Sequence, residues 1–489
     1  MSPAEFSRQL ETLFDEQRCF EPEGAADLMA LAMRRGPLQS ALHATLHKVL
    51  LGRTLRHAVA HSHYYSDRRS HYETSESRSA GATCHEILSS LPVLRREDLQ
   101  VHNCEMLATD VKLRMVSHTS GSTGQPVLMH RSEEEVMFLQ RYYSRLFAPI
   151  RRGFSLRPLS LSFPNLYHGT LVPLPSLGFP LSSGVTDDTL IQDAARILTR
   201  RYSLPGCAGQ ISLLSGLAHH IVFFTAYLLE TGISPAGLNL ETVTITGGYL
   251  ATHWREWLEV QWNCRVIDRW SMTEASGGAN RNGISGLFQF DPHLVAEVIH
   301  PTTGRPIEGN GTGELVITNL HPFTQLQPLI RYATGDLVHQ TKDEYGLPNF
   351  AFLGKLKNCL VDVLAETPNC LVSSAHLCDI LGSLPDTDCV DYFPNISVVQ
   401  DRLVGSTPIF ALSSESPSQD IINIRVSVQL RWNPAAFPER AANLCQTIES
   451  RLLSAPGSAL KRRVEAGTAS VTVCLGGPGS IKGPPMIKI

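Results

Sequence analysis

From about residue 113 to residue 352 the chain repeats one pattern, in which short apolar runs broken by Gly, Pro and Asn alternate with helical segments. Residues 211–232 read as a helix, 243–245 as a strand, 254–262 as a helix and 265–268 as a strand. That alternation favours an α/β domain with a mostly parallel sheet, because parallel strands need a crossover and a helix is the usual one. Ahead of it, residues 1–65 are helix-rich, with apolar residues at three- and four-residue spacing through Leu28, Leu31 and Ala32 and again across 42–55. A Ser-rich stretch at 66–79 reads as a surface loop. Past Gly354 the units are smaller: 391–399, 407–413 and 421–432 read as strands, 438–453 as a helix and 469–475 as a last strand. With 489 residues, too many for one compact core, the expectation is a large N-terminal domain over 1–353 and a small α+β domain over 354–489.

Composition works by exclusion. A net charge of −4 gives no electrostatic reason to hold nucleic acid or an anionic membrane. No run of eighteen apolar residues suggests a spanning helix, and the first residues lack the basic-then-apolar order of a secretory signal. The eleven cysteines are scattered without a C-x-x-C pair, which reads as reduced thiols and a cytoplasmic location.

Three segments carry chemistry. In Thr119-Ser120-Gly121-Ser122-Thr123-Gly124-Gln125-Pro126, glycines and hydroxyls can turn several N–H and O–H groups toward one anion. The nucleotide P-loop spacing and its lysine are absent, and a plain Ser/Gly surface loop is the alternative. Asp268-Arg269-Trp270-Ser271-Met272-Thr273-Glu274 follows an expected strand. Its hydroxyl and carboxylate suit phosphate and Mg²⁺, although Thr-Glu pairs also cap helices. Pro328-Leu329-Ile330-Arg331-Tyr332-Ala333-Thr334-Gly335-Asp336 offers an aspartate for ribose hydroxyls and an arginine for phosphate. The plain reading there is an Arg–Asp ion pair.

In this order the three segments resemble the adenylate-forming enzymes, and within them the phenylacetate–CoA ligase branch. The run Leu91-Pro92-Val93-Leu94-Arg95-Arg96-Glu97-Asp98-Leu99 and the stretches at 294–304 and 313–320 resemble that branch too. The resemblance implies that Ser120, Gly121, Ser122, Thr123 and Gly124 hold the ATP phosphates. It implies that Gly247, Gly248 and Tyr249 lie beside adenine, Thr273 touches the α-phosphate, Glu274 ligates Mg²⁺ and Asp336 binds ribose. Lys355 stands in for a ribose-contacting arginine, and Leu356–Asn358 mark a hinge. The small C-terminal domain is then a mobile lid that rotates between half-reactions. Its catalytic lysine is Lys488, with Lys482 the alternative.

The departures bear on the second half-reaction. Trp270-Ser271 replaces Tyr-Gly, Tyr249 replaces a glutamate, and Gly354-Lys355-Leu356-Lys357-Asn358 has lost both hinge acids. The glycine-rich substrate segment reads Phe163-Pro164-Asn165-Leu166-Tyr167-His168-Gly169. His43, His47, His57 and His61 stand at helical spacing without an acidic or thiol partner and read as a solvated face. His118, beside the loop, reads as either a pocket residue or a packed strand residue.

The resemblance implies an AMP-forming ligase acting on a carboxylic acid, aromatic by analogy, with ATP, Mg²⁺ and CoA, as a monomer or homodimer. Two other readings stay open: acyl transfer to a carrier protein, amine or hydroxyl, and a non-catalytic nucleotide-binding relative.

Overall fold

The computed structural model describes residues 37–72, 82–119, 125–147, 157–163, 179–283, 285–363, 367–416, 421–454 and 458–482, with isolated positions before residue 37. Helix α1 (Pro37–His61) lays Leu42, Leu46, Leu50 and Leu55 into the first of three large cores. Its histidines do not form a solvated face. His47 meets the Pro292 carbonyl at 3.0 Å and His57 meets that of Gln325 at 2.8 Å, because this side of the helix packs on the loops of the main sheet. Burial lowers His43 to about 4 and His47 to about 3. Helix α2 (Arg96–Val101) precedes an antiparallel hairpin of β1 (Leu113–His118) and β2 (Leu128–Ser132), and α3 (Glu133–Phe147) follows it.

The main sheet begins as the pattern suggests. β3 (Arg157–Ser162), β4 (Phe179–Ser182), α4 (Asp188–Thr199), β5 (Cys207–Gly216), α5 (Ala218–Glu230), β6 (Thr242–Thr246), α6 (Thr252–Trp262) and β7 (Arg265–Ser271) alternate along the chain. Their strands pair in parallel in the order β4-β3-β5-β6-β7. Six further strands, β8 (Gly278–Arg281), β9 (Phe288–Phe290), β10 (Leu294–Ile299), β11 (Gly311–Asn319), β12 (Tyr332–Lys342) and β13 (Pro348–Lys355), extend the sheet beyond β7 in antiparallel pairs, in the order β8-β9-β13-β12-β11-β10. It is therefore mixed, not mostly parallel. The expected helix over 211–232 also divides, since residues up to Gly216 belong to β5. A central strand buried on both faces carries a continuous apolar run, which periodicity does not separate from a buried helix. The second core lies between β3, β5 and β6 and helices α4, α5 and α6.

The C-terminal elements are β14 (Leu360–Asp362), β15 (Asn369–Val372), α7 (Ser374–Gly382), β16 (Phe410–Glu415), β17 (Ile422–Gln429), α8 (Pro438–Leu453), α9 (Ala459–Glu465) and β18 (Ala469–Gly476). β16, β17 and β18 form a sheet on which α8 packs, around the third core. Residues 391–399 are not the expected strand. Pro394 has no N–H for a ladder, and Phe393, Ile396 and Val399 recur every third residue, not every second. Their side chains are buried in the second core, among helices α4 and α5.

Candidate active site

The turn between β7 and β8 carries Thr273 and Glu274. It is pinned from two sides. Arg131 on β2 donates to the carbonyls of Thr273 (3.0 Å) and Ala275 (2.9 Å), and Asn319 at the end of β11 donates to the Glu274 carbonyl (2.8 Å). The Asn319 side-chain oxygen accepts from the Ser276 N–H at 3.0 Å. A turn with its carbonyls and N–H groups so engaged holds its side chains in place.

The Glu274 side chain is only 4% exposed. Its Oε1 accepts from the Tyr332 hydroxyl at 3.1 Å and lies 3.6 Å from Arg96. Burial raises its pKa above the ordinary glutamate value; Arg96, Tyr332 and Lys355 oppose that rise without cancelling it. A buried carboxylate kept short of full compensation is suited to a cation.

Arg96 also ties this carboxylate to the hydroxyl-and-glycine loop. It donates to Thr119 Oγ1 at 2.9 Å, and that same oxygen accepts from the Val127 N–H at 3.0 Å. Gln100 donates to the Gln125 carbonyl at 2.9 Å. The loop's neck thus closes on α2, through Arg96 at its start and Gln100 near its end. Ser120, Gly121, Ser122, Thr123 and Gly124 themselves lie outside the described residues, and so does Lys488. Lys482 is described and exposed. His118 is half-buried, with its ring nitrogen 3.1 Å from the Thr119 carbonyl.

Asp336 and Lys355 are direct partners across β12 and β13, with Nζ 2.8 Å from Oδ1. The other Asp336 oxygen takes the Trp270 indole N–H at 3.3 Å, and that indole stacks on Phe352. Trp270 therefore does at this place the polar work that a tyrosine hydroxyl could do. Arg331 is different. It is buried, faces Glu297 at 3.3 Å and donates to the Leu91 carbonyl, so it is a structural ion pair and not the phosphate-facing arginine expected. Burial pushes Glu297 up to about 7. The guanidinium beside Glu274 belongs to Arg96, which lay unremarked in the run 91–99.

Gly247 and Gly248 follow β6 with φ of 70° and 84°, a left-handed turn that only glycine adopts readily. Tyr249 then points at the C-terminal elements. Its hydroxyl donates to Asp379 of α7 at 2.7 Å, and the other Asp379 oxygen accepts from the Thr252 N–H at 2.8 Å.

Among the described residues no three His, Cys, Asp or Glu side chains are gathered to hold a metal, and no helix is long and apolar enough to cross a membrane. The chain is 24% identical over 275 residues to the phenylacetate–coenzyme A ligase of Thermus thermophilus, a match covering 52% of this chain and 57% of that protein. It thus spans little more than half the length of the curated relative it matches. It superposes on 2-hydroxyisobutyryl-CoA ligase in the postadenylation state with a TM-score of 0.60 at 16% identity, over 90% of this chain and 87% of that one. Against an open conformation of the same ligase, with 2-HIB-AMP and CoA, the TM-score is 0.59 at 15% identity, over 91% and 90%. The chain has the fold of the adenylate-forming ligases. No family model matches it. Within this fold β8 and β9 separate β7 from β13, and side chains link Glu274, in the turn after β7, to the strands that carry Asp336 and Lys355: Tyr332 on β12 donates to Glu274, and Trp270 on β7 donates to Asp336.

Proposed function

We propose that the chain activates a carboxylic acid with ATP, releasing pyrophosphate and forming an acyl-adenylate, and then passes the acyl group to CoA. One observation carries this reading: Arg96 joins the neck of the hydroxyl loop to Glu274, close to the Asp336–Lys355 pair. An acid approaching a triphosphate meets strong repulsion, so the site must supply fixed positive charge and in-line geometry. Arg96 and Lys355 are cations already oriented by their neighbours, which lowers the cost of arranging them at the moment of reaction.

Each group then has a task. The loop residues Ser120, Gly121, Ser122, Thr123 and Gly124 cradle phosphate, Thr273 meets the α-phosphate, and Asp336 accepts from the ribose hydroxyls beside Lys355. Gly247 and Gly248 leave room for adenine next to Tyr249, and Lys488 brings a further positive charge from the C-terminal tail. Glu274 would hold Mg²⁺. One buried carboxylate fits that ion, which usually takes its other ligands from phosphate and water. When bound it supplies charge that neutralises the phosphate oxygens as pyrophosphate leaves. The acid is aromatic in this reading, by likeness to the phenylacetate–coenzyme A ligase.

A second reading, transfer to a carrier protein, amine or hydroxyl, is favoured by the hinge, where Lys355-Leu356-Lys357-Asn358 carries no acid. Pyrophosphate release from ATP and Mg²⁺ across a panel of aryl, acyl and amino acids, with and without CoA, separates them. Release with a CoA-dependent thioester supports the first, and release without a thioester supports the second. Absence of release with every acid would sink both.

A further inference from the structure

Two thiols meet where the chain leaves the main sheet. Cys359 comes directly after the turn Leu356–Asn358 that follows β13, and Cys370 lies on β15. β14 and β15 pair antiparallel, with Leu360 opposite Val372 and Val361 opposite Cys370. Side chains alternate along a strand, so Cys359 falls on the face of Val361, and Val361 faces Cys370. The two sulfurs are thus diagonal neighbours, and the Cys370 thiol donates a hydrogen bond to the Cys359 sulfur.

Cys359 has further donors around it. The Ser374 N–H, in the first turn of α7, donates to its sulfur at 3.5 Å, and the Ser374 hydroxyl lies 3.7 Å away. A helix N-terminus favours a thiolate, and so does a neighbouring S–H. The Cys370 hydrogen bond, helped by those from Ser374, holds the Cys359 thiol below the ordinary cysteine value, against burial and the charge of Asp336. Cys370 moves the other way, through its bond to that sulfur and through burial. Burial also raises Cys264 to about 11 and Cys389 to about 12. Cys359 and Cys370 are both partly exposed, so a small oxidant can reach them. Neither thiol has a task in the acid-activating reading.

We propose that Cys359 and Cys370 form a redox pair, in which Cys359 attacks a hydroperoxide and Cys370 closes the disulfide. In the first step the Cys359 thiolate takes one peroxide oxygen as the O–O bond breaks, giving a sulfenic acid, and the other oxygen leaves protonated, as water from hydrogen peroxide. In the second, the Cys370 sulfur attacks the sulfenic sulfur. An S–S bond forms, the S–O bond breaks, and a second water leaves with the Cys370 proton. Two electrons pass from the sulfurs to the peroxide, and a thiol reductant returns them by exchange. As a thiol, Cys359 also donates to the Leu353 carbonyl of β13 at 3.4 Å. A disulfide sulfur has no proton to give, so oxidation removes this contact between β13 and the C-terminal elements.

The test treats the full wild-type chain with equimolar hydrogen peroxide and maps its thiols over time by mass spectrometry. A Cys359–Cys370 disulfide is expected to form at least roughly 10-fold faster than oxidation at Cys104, which is exposed, and to vanish with dithiothreitol. Cys370→Ser should stop Cys359 at a sulfenic acid that dimedone captures. Cys359→Ser should leave Cys370 no faster than Cys104. Oxidation of Cys104 at the rate of the pair, or a disulfide joining other cysteines instead, would overturn the proposal. Rapid capture of a sulfenic acid at Cys370 in the Cys359→Ser chain would overturn the assignment of roles. No step of this test needs pyrophosphate release, so the redox pair and the acid-activating reading stand or fall separately.

Discussion

Lys355 and Asp336 face each other in register across β12 and β13, with the ammonium 2.8 Å from the carboxylate. The aspartate is buried while the lysine is partly exposed, so the pair presents one desolvated acceptor beside one mobile cation. Removing the lysine alone leaves a buried carboxylate with the Trp270 indole as its remaining side-chain contact.

For Lys355→Met we therefore expect a KM for ATP raised by roughly 10-fold, the scale of one charge-assisted hydrogen bond, with a smaller change in kcat. Steady-state pyrophosphate release at varied ATP measures it. An unchanged KM would remove Lys355 from the nucleotide site.

Glu274→Gln keeps the shape of the turn and removes the charge. Pyrophosphate release should fall by roughly 10²–10³-fold, as when a preorganised electrostatic group is lost, and excess Mg²⁺ should restore part of it, as expected for a lost metal ligand. Tyr332→Phe should cost less, because Arg96 still faces the carboxylate.

Burial raises the Glu274 pKa, so protons compete for this carboxylate further into the neutral range than for an ordinary glutamate. Apparent Mg²⁺ affinity should rise with pH, with a midpoint above the ordinary glutamate value. Titration of Mg²⁺ at fixed ATP across a pH series checks this, and a pH-independent affinity would count against the ligand assignment.

Asp268, in the middle of β7, is pushed up to about 6 by burial, against the pull of Arg281 and Arg255. A carboxyl whose folded value is raised favours folding below its unfolded value, and that contribution is lost as pH rises through about 6. Asp268→Asn should flatten the decline between the ordinary aspartate range and pH 7, by about 3 kcal/mol at most. Urea unfolding of both proteins at several pH values gives the comparison.

Lys488→Ala should slow pyrophosphate release and leave ATP binding intact, as expected of a charge used in the chemical step. Binding by calorimetry and release by a coupled assay separate the two effects. Full activity would move the role to Lys482 or off the tail altogether.

The three segments stand out in the sequence as contiguous runs, and among the described residues Thr273 lies beside Glu274 in the turn after β7 while Asp336 faces Lys355 one strand away. The parallel part of the sheet was legible for the same reason, through its alternation with α4, α5 and α6. Arg96 was not, since nothing local separates an arginine opening a short helix from one that reaches a turn far along the chain. Arg331 misled in the opposite way, sitting inside the motif yet spending its charge on Glu297. Residues 391–399 were misread because their apolar spacing answers to a core formed by α4 and α5, and local periodicity carries no trace of a distant partner.

The burial of residues 393–399 in the second core bears on how the chain is made. The stack of Phe393 on Phe223 and the contact of Ser397 with Asp188 wait for residues 393–399, which leave the ribosome long after α4 and α5 have emerged. The large domain must hold an unfinished apolar face until then, exposed to wrong partners and to chaperones. A chain cut at residue 353 would keep that face open for good.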